Sequence, residues 1–340
     1  MQNPHASPGD GSPLLDEQVR VGLQGDFQRG LEIANELEKK FPESHRAAFN
    51  RAWYKMMEGD LLSGLDCLDR GRWVNAFGGP PLQTTKTIYR DEILQGRHLL
   101  LTGEGGLGDE IINVRFAKNF AARGARVTVA CDPSLARVFS RVEGVSAVVN
   151  QRAAAEVYHD FWVPSMSAAR VLETTYEKID GSAYLTADPE LVKFWCDELK
   201  RQNRGVIPKI GLRFYGNQQF EHAQHRRFPA EGLRNAVGAL PWVNLQKEES
   251  PLAMETWDDT LAIIANLDLV ITSCTSVAHA SAALGKETWV LVPLLPYYIW
   301  ALPGDRSPWY KSVRLFRQTQ FGEWKNVFDK IAFALVERAQ

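Results

Sequence analysis

The stretch TGEGGLGDEIINVRFAK, Thr102 to Lys118, places glycines at 103, 105 and 108 and follows the last of them with Asp109 and Glu110. Gly-x-Gly-x-x-Gly between a strand and a helix is the fingerprint of a loop that lays a dinucleotide pyrophosphate on a helix start. A helix start carries about half a unit of positive charge and draws anions. Here two carboxylates are already attached to it, so a pyrophosphate would be pressed against like charge. The glycines serve another purpose. Gly108 and its neighbours turn the backbone sharply and present Asp109 to a ligand, where a carboxylate can accept a proton. The plainer alternative is that Asp109 only caps its helix. The dinucleotide reading keeps one point in its favour, Asp132, which ends the next strand where a ribose-binding acid would lie.

A better seat for an anion lies far along the chain. In ITSCTSVAHASAALG (Ile271–Gly285) a strand ends at Ser273 and a helix begins near Thr275. Thr275 and Ser276 bring hydroxyls and free backbone N–H groups, His279 follows one turn later on the same face, and no acid stands in the first turn. Read alone, the segment fits equally well a hydroxyl cap and a satisfied histidine. Arg226, in HRRFP (His225–Pro229), and Lys247, after the strand ending NLQ, bring cations to two further strand ends. If the sheet is parallel, these ends converge on one mouth. Asn217 and Gln246 are candidates for orienting a ligand there. Tyr297, Tyr298 and Trp300 can stack on a base or a sugar, or can belong to the core.

These side chains need a scaffold, and the pattern supplies one. HLLLTG (98–103), ARVTVACD (125–132), SAVVN (146–150) and DFWVP (160–164) read as strands, with a helix from Asp109 to Arg123 making a β-α-β unit. DPELVKFWCDELKRQ (188–202) reads as a helix closing this half. A second series comes after it: KIGLRFYG (209–216), WVNLQ (242–246), LDLVITS (267–273), TWVLVPL (288–294) and VRLFR (313–317). Two such halves leave a cleft at the carboxyl ends of their strands. Before them, residues 14–76 are helical in composition and periodicity. Gly25-Asp26 returns as Gly59-Asp60, 34 residues on, which is the tetratricopeptide period. Gly30 and Gly64 mark close helix approaches. Two repeats are too few to stand alone, so they are expected to pack on the next domain.

The boundaries read from sequence are a disordered tail at 1–13, tetratricopeptide-like helices at 14–76, a linker at 77–96, a first α/β domain at 97–203, a second at 204–320 and a terminal helix at 321–340. The chain has 340 residues, a net charge of −2 and 45% hydrophobic residues, enough for several cores and without the basic excess of a nucleic-acid or anionic-membrane partner. Its four cysteines, Cys67, Cys131, Cys196 and Cys274, form no C-x-x-C pair, which argues against a zinc site or disulfide framework. No apolar run reaches the ~20 residues of a membrane span. A soluble, cytoplasmic protein is the expectation.

With these motifs in place, the chain from about Leu14 onward resembles the tetratricopeptide-linked glycosyltransferases related to bacterial heptosyltransferases. GEGGLGDEI is similar to that family's G-E-x-G-L-G-D loop, RRFP to a K-x-W-P element, and CTSVAH to D-T-x-x-x-H; GLRFYGN and RSPWYKSVRLFRQ also look like family elements. The resemblance implies a GT-B fold, two Rossmann-like domains facing a cleft, with the terminal helix crossing back onto the first half. It implies that Asp109 is the catalytic base and that Arg226, Thr275 and His279 meet the diphosphate of a nucleotide-sugar donor; Gly108, Gly216 and Ser276 are further expected donor-binding positions. No D-x-D is present, so an inverting transfer without metal or cofactor is expected. The expected acceptor is a hydroxyl of a protein or of a cell-envelope saccharide. Cys274 stands where the family carries an Asp toward the donor sugar; a thiol cannot make the same charged hydrogen bonds, so the resemblance carries the base and the phosphate site but not the sugar. The rival reading is a binding scaffold of helical repeats with a degenerate transferase domain.

Overall fold

The computed structural model describes residues 12–78, 82–203, 205–218 and 223–339. The expected tail at 1–13 therefore lies almost wholly outside the described residues, as do positions 79–81 of the expected linker.

Four helices open the chain: α1 (Ser12–Leu23), α2 (Phe27–Lys40), α3 (His45–Met57) and α4 (Leu61–Asp69). They form two hairpins that repeat one turn. Gly25 and Gly59 adopt φ of +83° and +90°, and the Asp that follows each caps the next helix, Asp26 accepting from the Arg29 amide and Asp60 from the Ser63 amide, both at 3.1 Å. Gly64 sits against Met56 and Ala52, and Gly30 against Tyr54, so both mark close approaches to α3. The hairpins do pack on the next domain: Met56, Leu61, Leu65 and Leu68 share a core with Ile111, Ile112 and Phe120 of the first α/β half.

That half holds four parallel strands, β1 (His98–Thr102), β2 (Arg126–Cys131), β3 (Val145–Asn150) and β4 (Phe161–Pro164), in the order β3-β2-β1-β4. Leu99, Leu100 and Leu101 are fully buried, as the central strand of a two-face-covered parallel sheet requires. The expected single helix after β1 is two, α5 (Leu107–Val114) and α6 (Ala117–Ala122). Short helices α7 (Ala136–Phe139) and α8 (Ala168–Val171) complete this half. Residues 82–96 are no loose linker: Tyr89 and Leu94 are buried, and Ile88 bridges Trp162 of β4.

The second half contains α9 (Pro189–Gln202), β5 (Ile210–Arg213), α10 (Ala223–Arg226), α11 (Ala230–Val237), β6 (Trp242–Asn244), α12 (Trp257–Ala265), β7 (Leu269–Ser273), α13 (Ser276–Ala283), β8 (Glu287–Val292), β9 (Arg306–Ser307), β10 (Tyr310–Arg317) and α14 (Lys325–Ala339). The sheet order is β6-β5-β7-β8-β10-β9, parallel except for the two-residue edge strand β9, which sequence reasoning missed.

Two helices lie elsewhere than expected. α9 does not close the first half; Trp195 and Leu199 join Val243, Leu245 and Ala262, and the Trp195 indole donates to Asp259 at 3.0 Å. Nor does α14 return to the first half. Its stripe of Val327, Ile331 and Leu335, with Trp324 just before it, packs on Leu212, Phe214 and Leu233. Gly232 of α11 makes this seat: a Cβ there would fall 2.1 Å from the Phe328 ring. The halves are instead joined through Arg115, whose guanidinium donates to the Trp309 carbonyl at 2.7 Å and the Tyr184 hydroxyl at 3.0 Å, stacked between aromatic rings.

Candidate active site

The loop after β1 folds as its glycines dictate. Gly105 has φ of +75°, and a Cβ on it would lie 2.5 Å from an Asp109 carboxylate oxygen. The turn brings the Gly106 amide to Asp109 Oδ2 at 2.9 Å, while Tyr297 donates its hydroxyl to Oδ1 at 2.5 Å. Burial raises the Asp109 pKa; the Tyr297 and Gly106 hydrogen bonds and the charge of Arg226 oppose that rise. Asp109 thus caps its helix and also meets a group from the other half of the molecule.

Glu110 turns the opposite way. It is buried beneath Gly103, accepts from the Asp132 amide at 2.9 Å, and is pushed up to about 7, chiefly by burial. The Asp132 carboxylate is itself engaged, taking the Ser134 amide and hydroxyl at 2.9 and 2.6 Å. The acid that a ribose reading needs is spent on a local turn. Glu104, the loop's other acid, is bound to Arg72 of the helical segment through two bonds of 2.7 and 2.9 Å; Arg72 also meets Ser167.

On the opposite wall α13 starts without a side-chain cap and with no acid in its first turn. Thr275 is buried, its hydroxyl 3.3 Å from that of Thr272, and its methyl is what a Cβ on Gly216 would meet at 3.1 Å. Gly108 lies on this helix: a Cβ there would come within 3.1 Å of the His279 ring and 3.6 Å of the Ser276 α-carbon. The two helix starts therefore touch, and glycine at 108 permits it. His279 is 3% exposed, stacks on Trp300 at 5.4 Å and has the Tyr310 hydroxyl 3.4 Å from Nδ1. Burial, with Arg115 and Arg226 adding, lowers its pKa to about 3, so the ring is neutral at pH 7.

Two cavities meet here. The smaller, about 180 Å³, opens after β5 and β7 and is lined by Gly216, Asn217, Arg226, Arg227, Ser273 and Cys274 among others. These strands flank the point where the sheet order reverses, the place where open α/β sheets bind ligands. Arg226 donates to the Cys274 carbonyl at 3.1 Å. The Ser273 hydroxyl is buried and has no hydrogen-bond partner among the described residues. The larger cavity, about 430 Å³, is lined by Gly105, Gly106, Asp109, Arg226 and Tyr297 on one side and by α1 and α3 on the other. Arg226 belongs to both.

Several expected positions thus converge, namely Asp109, Gly216, Asn217, Arg226 and Cys274. Others do not. Thr275, Ser276, Gly108 and His279 line neither cavity: Gly108 meets Ser276 and His279 where the halves touch, and Thr275 stays within the second half, against Thr272 and Gly216. Gln246 is fully buried, holding the Tyr215 amide and Glu248. Lys247 is exposed and donates to the Glu255 carbonyl. Trp300 is core, its indole donating to Cys274 Sγ at 3.1 Å, and Tyr298 is buried in the wall of the larger cavity. Burial pushes the Cys274 thiol up, away from reactivity. Tyr297, Ser273 and Arg227 were missed or given another role; nothing local in the sequence marks them. Among the described residues no group of three or more His, Cys, Asp or Glu side chains stands where it would hold a metal ion.

This architecture has a counterpart among solved structures. The glycosyl transferase family 9 protein of Veillonella parvula matches with a TM-score of 0.53 at 11% identity, over 73% of this chain and 97% of its own. That likeness defines the fold class. ADP-heptose lps heptosyltransferase II of E. coli matches over 72% of this chain and 100% of its own, at 13% identity and a TM-score of 0.48. In sequence, protein FlbA of Caulobacter vibrioides is 27% identical over 299 residues, 75% of this chain and 49% of FlbA, so the chain spans about half the length of this curated relative. No protein-family profile matches.

Proposed function

We propose that the chain is an inverting, metal-independent glycosyltransferase moving a sugar from a nucleoside-diphosphate donor to a hydroxyl of a protein or a cell-envelope saccharide. One observation carries the reading: Arg226 lines both cavities, and Asp109 lines the larger. The diphosphate enters the smaller cavity, where Arg226 and the unpartnered Ser273 hydroxyl meet it. The acceptor approaches from the larger. Its oxygen attacks the anomeric carbon, the bond from that carbon to the phosphate oxygen breaks, and the hydroxyl proton passes to Asp109. Charge on the departing diphosphate is stabilised by Arg226. A desolvated carboxylate, more basic than an exposed one, suits this proton transfer. The fold shared with a glycosyl transferase supports the same class.

Residues 14–76 are read as a tetratricopeptide-like segment, supported by the 34-residue recurrence of the capped turn. Among the described residues no helix is long and apolar enough to cross a membrane; a cytoplasmic site of action is part of the proposal.

Calorimetry and thermal shift with UDP-, GDP-, ADP-, CMP- and dTDP-sugars test the reading. One nucleotide class is expected to bind and to be turned over, with turnover unaffected by EDTA. A chain that binds none of them is no transferase.

A further inference from the structure

Asp109 faces the helical segment. The cavity it lines has Leu23 of α1 and Phe49 and Trp53 of α3 in its far wall. That wall is fixed relative to the carboxylate, because the Trp53 indole donates to the Pro296 carbonyl at 3.0 Å and the next residue, Tyr297, binds Asp109. Most of the lining is aliphatic or aromatic. Within it stand two carboxamides, Gln18 and Asn50. Gln18 is 1% exposed, and among the described residues neither its side-chain oxygen nor its side-chain nitrogen has a hydrogen-bond partner. A buried amide with both ends unsatisfied weakens a fold and needs an explanation.

We propose that this cavity is the acceptor subsite, that its acceptor is a peptide presenting a serine or threonine hydroxyl to Asp109, and that Gln18 pairs with the backbone of that peptide. The inference rests on the glycosyltransferase reading and deepens it. A carboxamide offers both donor and acceptor, the complement of a peptide C=O and N–H. An apolar wall around it suits aliphatic and aromatic flanking side chains. A saccharide would bring several hydroxyls to each ring, and a wall of Val19, Leu23 and Leu295 leaves most of them unpaired. In the transfer the peptide hydroxyl oxygen bonds to the anomeric carbon, its proton goes to Asp109, and the nucleoside diphosphate leaves with the electron pair of the broken bond.

The test uses the full chain and the nucleotide sugar selected by the donor panel. It offers a pool of synthetic peptides with a central Ser or Thr between Leu, Val or Phe, and separately a pool of oligosaccharides, with mass spectrometry reading transfer. Modified peptides are expected. Gln18→Leu removes the orphaned amide, so its Tm is expected to equal or exceed wild type while KM for the peptide rises about tenfold; Asn50→Ala is expected to raise KM in the same direction. Transfer to oligosaccharides with none to peptides overturns the proposal, as does a Gln18→Leu chain that keeps its peptide KM. Failure to bind any donor would instead fault the transferase reading, which separates the two.

Discussion

At their facing edges the two halves of the molecule build the same element, a central strand end followed by an eight-residue helix, α5 in one and α13 in the other. At α5 the chain supplies its own anion, since the Gly106 amide is already bound by Asp109. At α13 the first turn has neither an acid nor a side-chain cap. Matching geometry is thus given opposite electrostatics: one helix start is met by its own carboxylate, the other by no side chain of its first turn. Because Gly108 lets the helices touch, the two starts lie against each other and not at opposite lips of an open trough.

The contrast can be broken from either wall. Asp109→Asn is expected to lower sugar-nucleotide turnover by about a thousandfold or more while calorimetry shows donor affinity unchanged; normal turnover would remove Asp109 from the chemistry. Arg226→Ala is expected to weaken donor binding and turnover together, by about a hundredfold in kcat/KM. Glu110 tests the interior of the first wall. Its folded pKa, about 7, lies above the ordinary 4.5, so the fold favours the protonated form. Stability from this group is complete below the ordinary value and is lost as pH rises through 7. Between pH 5 and 7.5 that loss amounts to about 2 kcal/mol, and denaturant melts should show it in wild type and not in Glu110→Gln. The smallest effect is expected from Tyr297→Phe. The Tyr297 hydrogen bond holds the Asp109 pKa down, so its removal should move the acid limb of the pH–rate profile upward.

How much of this was legible beforehand depended on the range of the interactions. Strands such as Leu99–Leu101 declare themselves as continuous apolar runs because both faces are covered. The repeated Gly-Asp turn is local, and its caps formed as its spacing implied. Asp109 and Arg226 stand out by motif and position, and both line the larger cavity. An amphipathic stripe, by contrast, states that a helix docks without stating where: α14 went to α11 because Gly232 admits Phe328, a pairing no periodicity encodes. His279 and Gln246 misled for a related reason, since a polar residue at a strand or helix end looks the same whether a ligand or the core satisfies it. The Tyr297–Asp109 contact spans 188 residues, and only the folded chain reveals it.

The ion pair between Arg72 and Glu104 bears on how the molecule can be divided. Both partners are largely shielded from water, with side-chain exposures of 6% and 14%. Cut away the hairpins, and Glu104 is stripped of its cation two residues before the turn that shapes the Asp109 loop. The amino-terminal helices are thus no interchangeable adaptor; they act as a bracket, and any shortened chain that begins after them would lose the brace that holds the Asp109 loop.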